Sequence, residues 1–231
     1  MEIIRTAQVE KIYDNNGVPV RAVNGVTMSV AKGDFTVIAG PSGSGKTTLL
    51  NLLGALDKPT SGTVFFEGQD LATKSTSALS SLRLTRLGFI FQAYNLIPVL
   101  SALENIEFTM MLSGIPEAER HERALSLMNE LGIGELAHKR PNEMSGGQQQ
   151  RVAVVRAIVN NPSVVLADEP TANLDSATGS ALLDLMQAMN AERQITFVFS
   201  SHDPQVIERG RTLLLMRDGI IEREEHRERK T

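Results

Sequence analysis

Gly40-Pro41-Ser42-Gly43-Ser44-Gly45-Lys46-Thr47-Thr48, entered directly from the apolar run Phe35 to Ala39, is the stretch on which the fold turns. It matches G-x-x-x-x-G-K-[ST] at every fixed position from Gly40 to Thr47. Glycines let a backbone curl until successive N–H groups point inward at phosphate oxygens. A helix predicted near Gly45 to Leu56 adds the positive end of its dipole at the same place. Lys46 reaches toward β- and γ-phosphates, and the Thr47 hydroxyl is the expected Mg²⁺ ligand. The stretch predicts a strand–loop–helix unit that binds a Mg²⁺–nucleoside triphosphate, with ATP as the nucleotide.

Working outward, the first thirty residues read as strands. Asn16-Gly17 is a hairpin signal, and Val26, Met28 and Val30 alternate as in a half-buried strand. Thr63 to Phe66 and Gly88 to Phe91 are further strand candidates. From about Leu96 to Asn160 the pattern turns helical. Ala124, Leu127, Met128 and Leu131 share a face with Gly132 as the stop, and Val152, Val155 and Val159 mark another helix. Val164 to Ala167 and Ile195 to Phe199 are continuous apolar runs, which suit buried parallel strands. A helix with Leu182, Leu185, Met186 and Met189 on one face lies between them. Alternating strand and helix implies a parallel sheet covered by helices. Asp218-Gly219 closes a late hairpin. The balanced charges of Glu222 to Lys230 read as a solvated helix or frayed end.

Composition narrows the function classes. The 231 residues are 42% hydrophobic and 22% charged, the make-up of a globular protein rather than a disordered one. A net charge of −4 and 4% aromatics, with no Trp, argue against a nucleic-acid partner. The absence of cysteine excludes disulfides, thiolate zinc sites and a cysteine nucleophile, and fits a reducing compartment. Met1 to Arg5 lacks the pattern of a signal peptide, and no apolar run approaches the ~20 residues that span a bilayer. The expectation is a cytoplasmic protein without direct membrane insertion, which reaches a membrane only through a partner.

Two further motifs carry chemistry. Val164 to Glu169 is an apolar strand ending in two carboxylates. In a phosphate-loop protein the Asp at such an end steadies Mg²⁺, often through water, which is the role of Asp168. Glu169 is then the candidate to take a proton from the attacking water. Acidic residues also follow strands and cap helices for purely structural reasons. Ser145-Gly146-Gly147-Gln148, at the start of the helix bearing Val152, reads either as an N-cap with a glycine turn or as a second anion site.

With these motifs in this order, the chain resembles the nucleotide-binding subunit of ATP-binding cassette (ABC) transporters over essentially all 231 residues. Gly40 to Thr48 looks like the Walker A loop, Val164 to Glu169 like Walker B, and Met144 to Gln148 like the family signature, usually Leu-Ser-Gly-Gly-Gln. The resemblance implies an α/β fold: a phosphate-loop ATPase core with a mostly parallel sheet, an antiparallel β part, and an inserted helical subdomain over about 96–160 between core segments 1–95 and 161–231. It implies a Mg²⁺-dependent ATPase whose partners are a second copy, joined head to tail so that each signature closes on the other subunit's ATP, and an integral membrane permease. Within that frame Gln92 resembles the loop glutamine that contacts Mg²⁺ and the attacking water, and His202 the switch histidine at the γ-phosphate. Asn173 to Asp175 resembles the segment that crosses the dimer interface, although Asp175 also reads as a helix cap. Tyr13 resembles the aromatic that stacks on adenine, although packing in a core strand is the competing reading. The departures are Met144 for Leu, Ala172 for Gly or Ser, and Ser200-Ser201 where Val-Thr is usual before His202. Leu49 to Gly54, Phe89 to Gln92, Asn95 to Pro98, Leu103 to Asn105 and Gln148 to Gln150 resemble the lipoprotein-release and macrolide-export group (LolD- and MacB-like). That group also includes the cell-division FtsE type, so mechanotransmission without a transported substrate is the alternative.

Overall fold

The computed structural model describes residues 1–15 and 17–227. Two long strands open the chain, β1 (Glu2–Asn15) and β2 (Val18–Ala31), followed by β3 (Phe35–Ala39) and α1 (Lys46–Leu53). Next come β4 (Ser61–Phe66), β5 (Gln69–Asp70), α2 (Thr76–Arg86) and β6 (Leu87–Ile90). Three helices follow: α3 (Ala102–Leu112), α4 (Glu117–Glu130) and α5 (Gly146–Ile158). The chain continues through β7 (Val164–Asp168), α6 (Ser176–Arg193), β8 (Thr196–Ser201), α7 (Pro204–Arg209), β9 (Thr212–Arg217) and β10 (Ile220–His226).

The strands form two sheets. One is antiparallel, in the order β2-β1-β4-β5; the other runs β10-β9-β3-β8-β7-β6. In the second sheet every pairing is parallel except that of β10 with β9. Parallel strands end on the same sheet edge, so whatever follows β3, β8, β7 and β6 gathers there.

Residue alternation sends β3 into two cores. Phe35, Val37 and Ala39 face one with α3 to α6, whereas Ile38 faces the other with α1 and the antiparallel sheet. Burial on both faces is why these strands read as unbroken apolar runs. The Phe35 ring lies 4.5 Å from that of Phe199 and 5.7 Å from that of Phe197. Burying each such ring stabilises the fold by roughly 1.5–3 kcal/mol.

Several expectations change. The helix after the phosphate loop stops at Gly54 rather than Leu56, because Ala55 takes a left-handed φ of 52°. The strand before Gln92 ends at Ile90, so Gln92 sits in the turn beyond it. Helix α2 occupies a stretch in which the sequence suggested none; only its Leu79 is buried, so its apolar periodicity is weak. Ser75 starts it by accepting the Ala78 N–H at 3.2 Å. The charged tail is a strand as far as His226, neither helix nor frayed end. The Asp218-Gly219 hairpin, with φ of 48° and 80°, presents it to the open edge of β9. Ladder hydrogen bonds then outweigh the charge pattern, and charged side chains on an edge strand stay solvated. Residues 228–231 lie outside the described residues, as does Asn16 of the first hairpin signal; β1 and β2 do pair antiparallel on either side of it. Gly132, at φ 67°, stands just past the end of α4, as its stop signal required.

Candidate functional site

The loop after β3 turns on glycines in the left-handed region, Gly43 at φ 80° and Gly45 at φ 100°. Gly45 is also pressed against β2: a Cβ there would stand 2.1 Å from the Ala22 carbonyl oxygen. Only glycine meets both conditions. Lys46 opens α1 with a side chain just 6% exposed. Its ammonium donates to the Gly40 and Pro41 carbonyls at 2.8 and 2.9 Å and stands 4.0 Å from Glu169 Oε1. A cation so confined is held by its own loop, ready to exchange carbonyls for phosphate oxygens.

The carboxylates arrive from β7, two strands from β3, with β8 between them. Asp168 Oδ1 accepts the Thr47 hydroxyl at 3.0 Å, joining the loop to the strand end. Thr47 and Asp168 therefore form a pair of hard oxygen donors, the chemistry that suits Mg²⁺. Glu169 leaves the strand at φ 45°, left-handed for a residue with a Cβ, and its N–H donates to Ser200 O at 2.8 Å. That turn swings its side chain under β8. Glu169 Oε1 accepts from His202 Nδ1 at 2.7 Å, and Oε2 accepts the Ser201 hydroxyl at 3.0 Å. A carboxylate only accepts, so Nδ1 carries the proton and Nε2 is left for another partner.

The structure thus brings Lys46, Thr47, Asp168, Glu169 and His202 into one cluster. Among the described residues no hydrogen bond joins Gln92 to that cluster: its carbonyl accepts from Asn173 Nδ2 at 2.8 Å, and its side chain is exposed. The next residues of that loop, Tyr94 and Asn95, are both left-handed, with φ of 59° and 51°. The Arg156 guanidinium on α5 donates to both of their carbonyls. Burial pushes that guanidinium below its ordinary value.

Tyr13 is 39% exposed, so core packing is the reading to discard. Its hydroxyl donates to Asp57 Oδ2 at 2.8 Å, and Lys11 Nζ pairs with Asp57 Oδ1 at 2.7 Å while standing 4.9 Å from the ring centre. Burial, then the hydrogen bond to Asp57, raises the Tyr13 phenol, while the Thr48 hydroxyl opposes them. The ring is therefore a neighbour of the phosphate loop.

Ser145 caps α5 in a reciprocal box: its Oγ accepts the Gln148 N–H at 3.3 Å, and Gln148 Oε1 accepts the Ser145 N–H at 2.9 Å. With Gly146, Gly147, Arg151 and Asp175 it lines an open depression of about 380 Å³. Asp175 also caps α6, accepting the Ala177 and Thr178 N–H groups at 3.1 and 3.0 Å, which bears out its reading as a helix cap. Among the described residues no hydrogen bond or ion pair joins Ser145 to Gln148 with the loop Gly40 to Thr48. A cavity of about 590 Å³ beside Phe35, Asn190 and Arg211 lies at the start of β3, the far end of the strand from the loop.

Three neighbours of the cluster escaped the sequence reading of the site. Ser201 was noted only as a departure, and Thr171 and Asp203 not at all; yet Thr171 Oγ1 donates to Asp203 Oδ2 at 2.7 Å beside Glu169. The available signal was a hydroxyl next to His202 at a strand end.

The family described as ABC transporter matches residues 23–172. An uncharacterized ABC transporter ATP-binding protein of Thermotoga maritima is 45% identical over 98% of this chain and 96% of its own length. The macrolide export ATP-binding/permease protein MacB of Syntrophobacter fumaroxidans is 42% identical over 97% of this chain, which spans 32% of that protein. Among solved structures, the ATP-binding cassette MJ0796, dimeric in a post-hydrolysis state with ADP and Pi, superposes with a TM-score of 0.91. It is 39% identical, covering 97% of this chain and 98% of that one.

Proposed function

The chain belongs to the ABC transporter family as an ATPase, and from that membership we propose that it powers an export permease by closing, head to tail, with a second copy around two ATP. The observation that carries this reading is the division of the site. The Lys46, Asp168, Glu169 and His202 cluster lies together, whereas the Ser145 to Gln148 cup, built as a helix-start anion site, lies apart from it. One chain then supplies two halves of different sites, and a two-fold axis makes two complete ones.

In the assembled site Gly40 to Thr48 holds the phosphates, with Lys46 on the β- and γ-phosphates. Tyr13 lies under the adenine, and Ser145 to Gln148 of the second copy faces the γ-phosphate. Thr47 and Asp168, already in contact, would hold Mg²⁺ with Gln92 nearby, and the ion would neutralise charge on the phosphate oxygens. Glu169 accepts a proton from the water that attacks the γ-phosphorus; the bond to the β-phosphate oxygen breaks and ADP and phosphate leave. His202 holds Glu169 through Nδ1–H; Nε2 meets a γ-phosphate oxygen only when it also carries a proton, so that the ring donates from both nitrogens. Phosphate release removes the bridge between Lys46 and the opposite Ser145, and the pair opens.

The permease would dock on the helical segment 96–160. Support comes from Val99, Met111 and Leu112, apolar yet 72%, 47% and 57% exposed, and from a groove of about 180 Å³ between Phe91, Asn95 and Arg156 beside the Gln92 turn. Similarity to MacB supports export as the task, and a permease partner would hold the chain on the cytoplasmic side of a membrane.

Glu169→Gln tests the reading. ATP binding should persist, turnover should fall at least about 100-fold, on the order of an essential proton acceptor, and an ATP-dependent dimer should appear by size-exclusion chromatography. Normal turnover in that variant rules Glu169 out as the base; a strictly monomeric, ATP-saturated variant rules out the split site.

A further inference from the structure

Glu169 has two carboxylate oxygens, and only one faces the phosphate loop. Oε1 lies 2.7 Å from His202 Nδ1 and 4.0 Å from Lys46 Nζ. Oε2 is taken by Ser201 Oγ at 3.0 Å. Ser201 ends β8 and is fully buried. A hydroxyl has one proton and two lone pairs. One lone pair accepts the Asp203 N–H at 3.1 Å, which leaves the proton for the carboxylate, a group that only accepts.

Asp203 is itself fixed. Its Oδ1 accepts the Gln205 N–H at 2.9 Å at the start of α7, and its Oδ2 accepts the Thr171 hydroxyl at 2.7 Å. Thr171 lies two residues after Glu169. The contacts close a ring from Glu169 through Pro170, Thr171, Asp203 and Ser201 back to Glu169. Within that ring Glu169 keeps its left-handed backbone, and its N–H is tied to Ser200 O. Side-chain rotation is the freedom that remains, because the outer torsion of a Glu is broad. The Ser201 proton removes it.

We infer that Ser201 is a positioning residue of ATP hydrolysis: it holds Glu169 Oε2 so that Oε1 alone faces the attacking water. The inference rests on Glu169 being the base. Without the hydroxyl, Lys46 and His202 draw both oxygens toward themselves, and the acceptor lone pair leaves the line of attack. Misplacement by about 1 Å at a reacting group costs up to about 100-fold in rate. Ground-state binding is untouched, because Ser201 contacts no group assigned to the nucleotide.

The test uses the full chain, with steady-state turnover and affinity for a fluorescent ATP analogue read on the same samples. Ser201→Ala should lower kcat by about 10- to 100-fold with KM and analogue affinity within about twofold. Ser201→Thr, which keeps the hydroxyl, should restore kcat to within about threefold. Ser201→Cys fills the same space with a weak donor and should fall like Ser201→Ala; it serves if the alanine variant does not fold. In a Glu169→Gln background, Ser201→Ala should cost nothing further, because its effect passes through the carboxylate. The proposal is overturned if the alanine and cysteine variants turn over within twofold of the parent. It is equally overturned if Ser201→Ala slows the Glu169→Gln protein by the factor it slows the parent, or if Ser201→Thr is as slow as Ser201→Ala. Normal turnover by Glu169→Gln alone removes the base assignment, and the positioning role with it. An inactive Glu169→Gln beside a fast Ser201→Ala removes the positioning role only.

Discussion

Two glycines of the phosphate loop share a backbone region but not the space around it, and replacing each by alanine should separate strain from contact. Gly43 has φ 80° with no atom within 4 Å of a Cβ position, whereas Gly45 has φ 100° with the Ala22 carbonyl oxygen 2.1 Å from it and the Met216 methyl carbon at 3.0 Å. A left-handed alanine costs roughly 1–2 kcal/mol. Reduced freedom of the unfolded chain offsets about 0.4–1 kcal/mol of that. Gly43→Ala should therefore lose about 1 kcal/mol, or about 2–4 °C in Tm for a chain of this size. Gly45→Ala carries the same strain and also drives β2 away from the loop. Overpacking against backbone adds roughly 1–3 kcal/mol, so the total is about 2–4 kcal/mol and about 4–16 °C. Differential scanning calorimetry of both variants without nucleotide gives the two shifts directly. A Gly45→Ala shift no larger than that of Gly43→Ala would falsify the contact between loop and β2, since strain alone is already present at Gly43. The functional consequence follows from the same geometry: displacing residue 45 moves Lys46 and Thr47, so ATP affinity should fall for Gly45→Ala far more than for Gly43→Ala.

Two other perturbations are equally specific. Burial pushes the Asp57 carboxyl up, but hydrogen bonds from Lys11, Tyr13 and the Lys58 N–H, with the Lys11 charge, outweigh it and hold the group below its ordinary 3.8. A depressed carboxyl stabilises above its unfolded value and loses that stabilisation as pH falls through the folded one. Asp57→Asn should thus flatten the Tm–pH curve below about pH 4, measured from pH 7 to 2.5, and should weaken ATP binding if Tyr13 needs its anchor. Arg156→Leu leaves the carbonyls of Tyr94 and Asn95 without their donor and frees two left-handed residues. The part-buried Tyr94 carbonyl left unmet costs about 1–3 kcal/mol, so amide exchange over residues 92–96 should quicken by at least about tenfold; unchanged exchange refutes the clamp.

What could be read in advance divides along physical lines. The phosphate loop, the buried strands Phe35 to Ala39 and Val164 to Ala167, and the cap at Ser145 were legible because each depends on neighbours in the chain. A loop that wraps phosphate with consecutive N–H groups needs its glycines at set spacings, and a strand buried on both faces needs an unbroken apolar run. The edge strand β10 was missed because its charges suit solvent whether or not the backbone pairs, and α2 because a helix lying mostly on the surface has little apolar periodicity. Likewise Tyr13 alternated between two readings until its exposure was known.

The sequence by itself determined the chemical inventory and the family: a cradle for phosphate, two carboxylates at a strand end, a signature at a helix start. Tertiary structure alone decided which of these touch. Glu169 meets Ser201 and His202 across 32 and 33 residues, and Thr47 meets Asp168 across 121. Those meetings follow from strand order, β3-β8-β7 with all three strands parallel, which brings their ends to one edge. No local pattern encodes that order, because pairing is chosen by the burial of both sheet faces together. For the same reason a serine that reads as a minor departure before His202 becomes, in the folded chain, the group that holds the carboxylate.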